Sequence, residues 1–179
     1  MASVRSVHGP PGIRAALPFE GVPRELIVAL KFRHHRSAAG VLAAQMIRRL
    51  DLDRVDVVTW APTSARRVRR RGYDQAEAIA RAIARQLGVP CRRLLYRTHG
   101  APQTGKSRSE RLAGPGFRAR RAKSGLVVLV VDDVVTTGAT LRTAAEALLA
   151  AGVSRVELAA AASTPLRHMA GYRKVSATI

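Results

Sequence analysis

Cysteine is almost missing from this chain: Cys91 stands alone among 179 residues. That excludes a disulfide framework and any multi-cysteine zinc site. Long apolar runs are missing as well. No stretch reaches the roughly eighteen residues that a membrane-spanning helix needs. Met1–Pro18 has no apolar core of the kind a secretory signal requires, so a cytoplasmic protein is the expectation. Aromatic residues make up only 4 %, which limits base stacking of the sort that single-strand nucleic-acid binders use. Acids are scarce too: 12 Asp and Glu face 31 Lys and Arg, for a net charge of +19. Such an imbalance attracts polyanions, whether nucleic acid, phosphorylated metabolites or anionic membrane. Only four of the basic residues are lysines. Nucleotide composition accounts for arginine over lysine, but not for the shortage of acids. What is present, 47 % hydrophobic and 24 % charged residues, is a globular composition of ordinary domain size.

Periodicity then gives an alternation of helices and strands. Pro23 opens a helix through Arg33, and a second from Ser37 to Leu50 sets Val41, Leu42, Met46 and Ile47 on one face. Val55–Trp60 reads as a β-rich run. A helix follows from Asp74 to Leu87, with Asp74 as N-cap, Ala76, Ile79, Ala80, Ile83 and Ala84 as the buried stripe, and Gly88 as stop. A further strand is expected around Arg93–Tyr96. Arg97–Lys123 is polar, glycine-rich and basic, with one helical turn expected near Ser107–Leu112. Leu126–Val131 is apolar on both faces, as a central parallel strand must be when helices cover both sides of its sheet. Gly138 leads into a helix from Ala139 to Ala151. Val153–Ala162 reads as a last strand, although alanine leaves Leu158–Ala162 ambiguous. The class is α/β: an open, mainly parallel sheet with helices on both faces and an N-terminal helical extension. The expected divisions are 1–50 for that extension, 51–165 for the core and 166–179 for a C-terminal tail.

The densest chemistry lies at the end of the central strand, in Asp132-Asp133-Val134-Val135-Thr136-Thr137-Gly138-Ala139-Thr140. Open α/β sheets bind ligands beyond the carboxyl ends of their strands, where the amides of a helix N-terminus attract phosphate. Thr136, Thr137 and Thr140 add hydroxyl donors, and Gly138 lets the backbone approach an anion. Asp132 and Asp133 supply acceptors for vicinal hydroxyls. Acids beside a phosphate-binding turn point to a sugar phosphate. Other readings stay open: an acid pair holding Mg²⁺ for phosphoryl transfer to an aspartate, the metal-binding acid of a P-loop ATPase, or a helix cap. Capping alone does not require two acids and three threonines in nine residues.

The run from Val128 to Thr140 closely resembles the phosphoribosyl-diphosphate (PRPP) signature of type I phosphoribosyltransferases. The resemblance implies that Asp132 and Asp133 bind the ribose 2′- and 3′-hydroxyls and that Thr136, Thr137, Gly138, Ala139 and Thr140 hold the 5′-phosphate. It also implies Mg²⁺, carried by PRPP. Purine-salvage members have an acid where this chain has Thr136, so a purine handled in that way is not expected. Arg71-Gly72-Tyr73-Asp74-Gln75-Ala76, Leu30-Lys31-Phe32-Arg33, and Arg97-Thr98 with Gln103 and Ser107–Arg111 resemble elements of the ComF (competence) branch. They fall in the expected order between Pro23 and Thr164. That branch commonly begins with a cysteine-rich zinc ribbon. No cysteine precedes Cys91 here, and zinc is not expected. The branch's usual asparagine is Asp74, and the segment after Leu112 is altered.

Ser64–Gly72 is the densest cationic segment and follows the Val55–Trp60 strand. In phosphoribosyltransferases the loop at this position binds the diphosphate, which implies such a role for Arg66, Arg70 and Arg71. Arginine's fixed fork of donors suits phosphate oxygens. The same stripe could instead track a DNA or RNA backbone, or simply be solvated. Arg97–Arg111 is expected to be a polar lid, with Arg97, Gln103, Lys106 and Arg108 approaching the diphosphate. Gly100–Ser107 fits the Walker A pattern by letter. Gly114 and Pro115, however, leave its following helix too short to anchor a phosphate cradle. Among the histidines only His99, in the lid, stands out, and Cys91 reads as a small core residue. Two function classes therefore remain: a phosphoribosyltransferase-like protein that binds PRPP or ribose 5-phosphate and transfers the phosphoribosyl group of PRPP, and a non-catalytic accessory of DNA uptake that binds single-stranded DNA or other nucleic acid. No motif marks an acceptor.

Overall fold

A computed structural model describes residues 7–10, 12–32, 37–52, 54–98, 116–121 and 125–164. Its main sheet has five strands in the order β1-β2-β7-β6-β3: β1 (Val7–His8), β2 (Arg14–Pro18), β7 (Arg155–Ser163), β6 (Val127–Val135) and β3 (Val57–Trp60). β1 runs antiparallel to β2, and every other pairing is parallel. The helices are α1 (Gly21–Phe32), α2 (Ser37–Arg49), α3 (Ala65–Arg71), α4 (Gln75–Leu87) and α5 (Ala139–Ala150). A separate antiparallel ribbon joins β4 (Leu95–Arg97) to β5 (Phe117–Ala119).

β6 is central because its sequence can be buried on both faces. Leu129 and Val131 pack with Ile27, Leu30, Leu42, Ile79 and Ile83 of α1, α2 and α4. Val128 and Val130 pack with Leu95, Leu141, Ala144 and Leu148 on the α5 side. Each fully buried Leu or Ile removes enough apolar surface from water to contribute about 1.5–3 kcal/mol. α4 has the expected caps. Asp74 Oδ1 accepts from Ala76 N at 3.1 Å, and Gly88 closes the helix in the left-handed region at φ 70°.

The structure refines the sequence-based reading in several places. Arg14–Pro18, where periodicity gives no strand, is β2 and pairs with Ala159–Ser163. The alanine-rich Leu158–Ala162 is strand, and Ala159–Ala162 are fully buried between β2 and β6. Pairing on both edges there overrides alanine's weak strand preference. Ser64–Gly72, read as a loop, is the two-turn helix α3. Ser64 Oγ accepts from Arg67 N, and Gly72 ends the helix at φ 78° with its N–H on Val68 O. The turn expected near Ser107–Leu112, the Walker-like segment, His99, Gln103, Lys106, Arg108 and the tail 166–179 lie outside the described residues.

Candidate functional site

The acid pair lies inside β6 rather than after it, because this strand continues to Val135 along β7. β3, in contrast, ends where Trp60 meets Val131. Past that point, among the described residues, no strand pairs with β6 on its β3 side. Asp132 Oδ1 accepts from Asp133 N at 2.8 Å, and Asp133 Oδ1 accepts from Val134 N at 2.7 Å. Strand alternation continues the packing of the apolar residues before them. Asp133 belongs with Leu129 and Val131 on the α1 side, and there Lys31 Nζ lies 2.6 Å from Asp133 Oδ2. Asp132 belongs with Val128 and Val130, on the side of β4, and the charges of Asp132 and Arg97 attract one another.

A polar cleft of about 410 Å³ lies at this end of β6. Its lining brings Lys31, Asp132, Asp133 and Thr140 together with Arg67, Arg70, Arg71, Asp74 and Gln75, and with Arg97 from β4. Arg71 is held by Gln75, whose Oε1 accepts from Nη1 at 3.0 Å. Asp74 has two tasks. Besides capping α4 it accepts from Thr63 N at 2.8 Å through Oδ2, which ties the Pro62–Ser64 turn to the helix. Burial raises its carboxyl above the ordinary 3.8, against the lowering effect of those backbone N–H groups. Burial, and then the neighbouring charge of Asp133, hold the Asp132 carboxyl well above the same value. Arg97 is lowered by burial and by the charge of Arg67.

The threonine turn borders the cleft more than it lines it. Thr136 and Thr137 are exposed, Gly138 is buried, and only Thr140 of this turn lines the cavity. Gly138 sits at φ 80°, and a Cβ there would come within 2.3 Å of Ile13 Cδ1. The first-turn amides of α5 have no intrahelical carbonyl to bond, and Ala139 N lies 3.4 Å from Thr137 Oγ1.

Of the residues singled out from sequence, Asp132, Asp133, Thr140, Arg70, Arg71 and Arg97 therefore meet in one cleft. Arg66 faces a neighbouring cavity with Ser64, Arg67, Arg70 and Arg97. Sequence reasoning gave Arg67 no role of its own, saw Asp74 only as a cap, and saw Lys31 only as part of a motif. Helical spacing within the arginine run could have paired Arg67 with Arg70 and Arg71. Cys91 is pushed up to about 11 by burial, as suits a packed thiol. Among the described residues no group of three or more His, Cys, Asp or Glu could hold a metal ion. Also among the described residues, no helix is long and apolar enough to cross a membrane.

The model of the phosphoribosyl transferase domain matches residues 73–178, more than half of the chain. The chain belongs to this family. Among curated proteins, the DNA utilization protein YhgH of Salmonella typhimurium is 30 % identical over 144 residues, covering 74 % of this chain and 63 % of that protein. The competence protein ComFC of Bacillus subtilis is 27 % identical over 144 residues, covering 78 % of this chain and 58 % of that protein. The chain thus spans less than two thirds of the length of these relatives. A solved structure of the allosteric regulatory enzyme of purine biosynthesis aligns with a TM-score of 0.46 and 25 % identity, covering 70 % of this chain and 25 % of that one. Family membership agrees with the resemblance carried by Val128–Thr140.

Proposed function

We propose that this cleft binds PRPP or ribose 5-phosphate and that the protein transfers the phosphoribosyl group to an acceptor. One observation carries the reading: three carboxyls, two of them the adjacent Asp132 and Asp133, and five cations, with Thr140, line the same cavity at the carboxyl ends of β3 and β6. Carboxylates recognise hydroxyls and arginines recognise phosphate oxygens, so a ligand with both groups fits better than one with either alone.

In this reading Asp132 and Asp133 take the vicinal hydroxyls, and the turn 136–140 with the first amides of α5 takes the 5′-phosphate. Arg67, Arg70 and Arg71 face the diphosphate. As the glycosidic C–O bond breaks, negative charge grows on the departing diphosphate and positive charge on the anomeric carbon. Fixed guanidinium groups stabilise the first and the acid pair the second, so electrostatic preorganisation does most of the work. Mg²⁺ fits here only as an ion borne by the ligand. It usually keeps its waters and binds through substrate phosphates, and the described residues offer two adjacent carboxyls but no three-group cluster. When bound, it would neutralise diphosphate charge.

A second reading has its own support. Arg66 and Arg69 are exposed on α3, and Arg93 stacks 4.9 Å from the centroid of the Tyr96 ring. With a net charge of +19, this suits an accessory that binds single-stranded DNA through phosphate contacts and limited stacking. Equilibrium dialysis separates the two. PRPP retention on the order of micromolar affinity, strengthened by Mg²⁺, supports the first. No PRPP retention, with single-stranded DNA binding that falls steeply with salt, overturns it in favour of the second.

A further inference from the structure

Lys31 lies on α1, upstream of the segment that the family model matches. It nevertheless makes the direct ion pair in the cleft, on Asp133 Oδ2 at 2.6 Å, with both side chains largely buried. Its helix is fixed against the rest of the site: Tyr73, just before α4, donates its hydroxyl to Leu30 O, one residue from Lys31. The other four cations of the cleft come from α3 and β4. Asp133 is thus engaged at Oδ1 by Val134 N and at Oδ2 by Lys31. A carboxylate has about four acceptor positions, so roughly two remain for a ligand.

We propose that Lys31 is a positioning residue for sugar hydroxyl recognition: by holding Asp133 Oδ2, it fixes the orientation of that carboxylate as an acceptor in the cleft. The proposal rests on the sugar-phosphate reading above. It differs from making Lys31 one more phosphate-binding cation, because its effect passes through Asp133 and reaches the hydroxyl end of the ligand. The groups facing the acid pair are Lys31 from α1, Arg67, Arg70 and Arg71 from α3, Asp74 ahead of α4, and Arg97 from β4. Of these, Lys31 also lowers the proton affinity of Asp132, which the neighbouring Asp133 charge raises.

The test uses the full chain and its Lys31→Met and Lys31→Arg variants, titrated with ribose 5-phosphate and, separately, inorganic diphosphate. The expected result for Lys31→Met is about a tenfold loss of affinity for ribose 5-phosphate, the effect of one charge-assisted contact, with a clearly smaller loss for diphosphate. Lys31→Arg should restore most of the loss. Equal losses for both ligands, or no loss for either, overturn the proposal. A wild-type protein that binds neither ligand overturns the sugar-phosphate reading instead. In that case carbon-13 titration of the aspartate carboxyls decides the role of Lys31 without a ligand. Lys31→Met should move the Asp132 midpoint further up and Lys31→Arg should not; an unmoved Asp132 in Lys31→Met contradicts the proposed coupling.

Discussion

Lys31 and Asp133, 102 positions apart in the chain, meet at 2.6 Å at the mouth of the parallel sheet. This pairing makes the two adjacent acids unlike. Asp133 has a cation in direct contact. Asp132 is desolvated and lies beside a like charge, with its carboxyl held well above the ordinary value of 3.8.

That difference predicts how stability depends on pH. An acid with a raised folded-state value binds its proton more tightly folded than unfolded. Its contribution is complete below about 3.8 and is lost as the pH rises through the folded value. Asp132→Asn cannot ionise and should lose this slope. Urea unfolding at several pH values should therefore show the variant gaining on the wild type from acid towards neutral pH, while sugar-phosphate binding is lost. A stability difference that stays constant with pH contradicts a raised proton affinity of Asp132.

Gly138 is the positive-φ residue of the turn between β6 and α5. Its positive φ strains any side chain, and a Cβ would press on Ile13 Cδ1 at 2.3 Å. Gly138→Ala should destabilise the protein by about 1–3 kcal/mol, measured as a lower denaturant midpoint. Unchanged stability would mean that the turn adopts another conformation.

Asp74 joins two elements through separate oxygens. Asp74→Ala removes the α4 cap and the tether to Thr63, and should cost about 1–2 kcal/mol. Diphosphate affinity should fall as well, because the turn that leads into α3 loses its anchor. If stability falls but diphosphate affinity does not, the tether has no part in the site.

Much of this arrangement can be read along the chain. The two-sided apolar run of β6, the caps of α4, and the acid pair followed by threonines and Gly138 are local patterns with local causes. β2 could not be read, because Arg14–Pro18 is five residues ending in proline, and it becomes a strand only beside β7. α3 has five arginines in seven residues, so no apolar face announces a helix. It is set by the Ser64 cap and the Gly72 stop. β4 pairs with β5 across segments that show no common periodicity. The contact of Lys31 with Asp133 is tertiary throughout; it forms because α1, seated on α2 and β2, brings Lys31 to the end of β6.

Among the arginines, position rather than number should decide. Arg70 lines the cleft, whereas Arg155 pairs with Glu157 near the opposite end of the sheet. Arg70→Ala should weaken diphosphate binding by about ten- to a hundredfold, the range for a hydrogen bond to a charged group. Arg155→Ala should leave it within about twofold, since exposed pairs contribute little. Equal losses in calorimetry would instead indicate a diffuse polyanion surface.

The most direct measurement is calorimetric titration of the wild type and Asp133→Asn with ribose 5-phosphate at one ionic strength. The account predicts saturable binding by the wild type, weakened at least about tenfold in the variant. Absence of binding by the wild type, or equal affinity in both proteins, would contradict it.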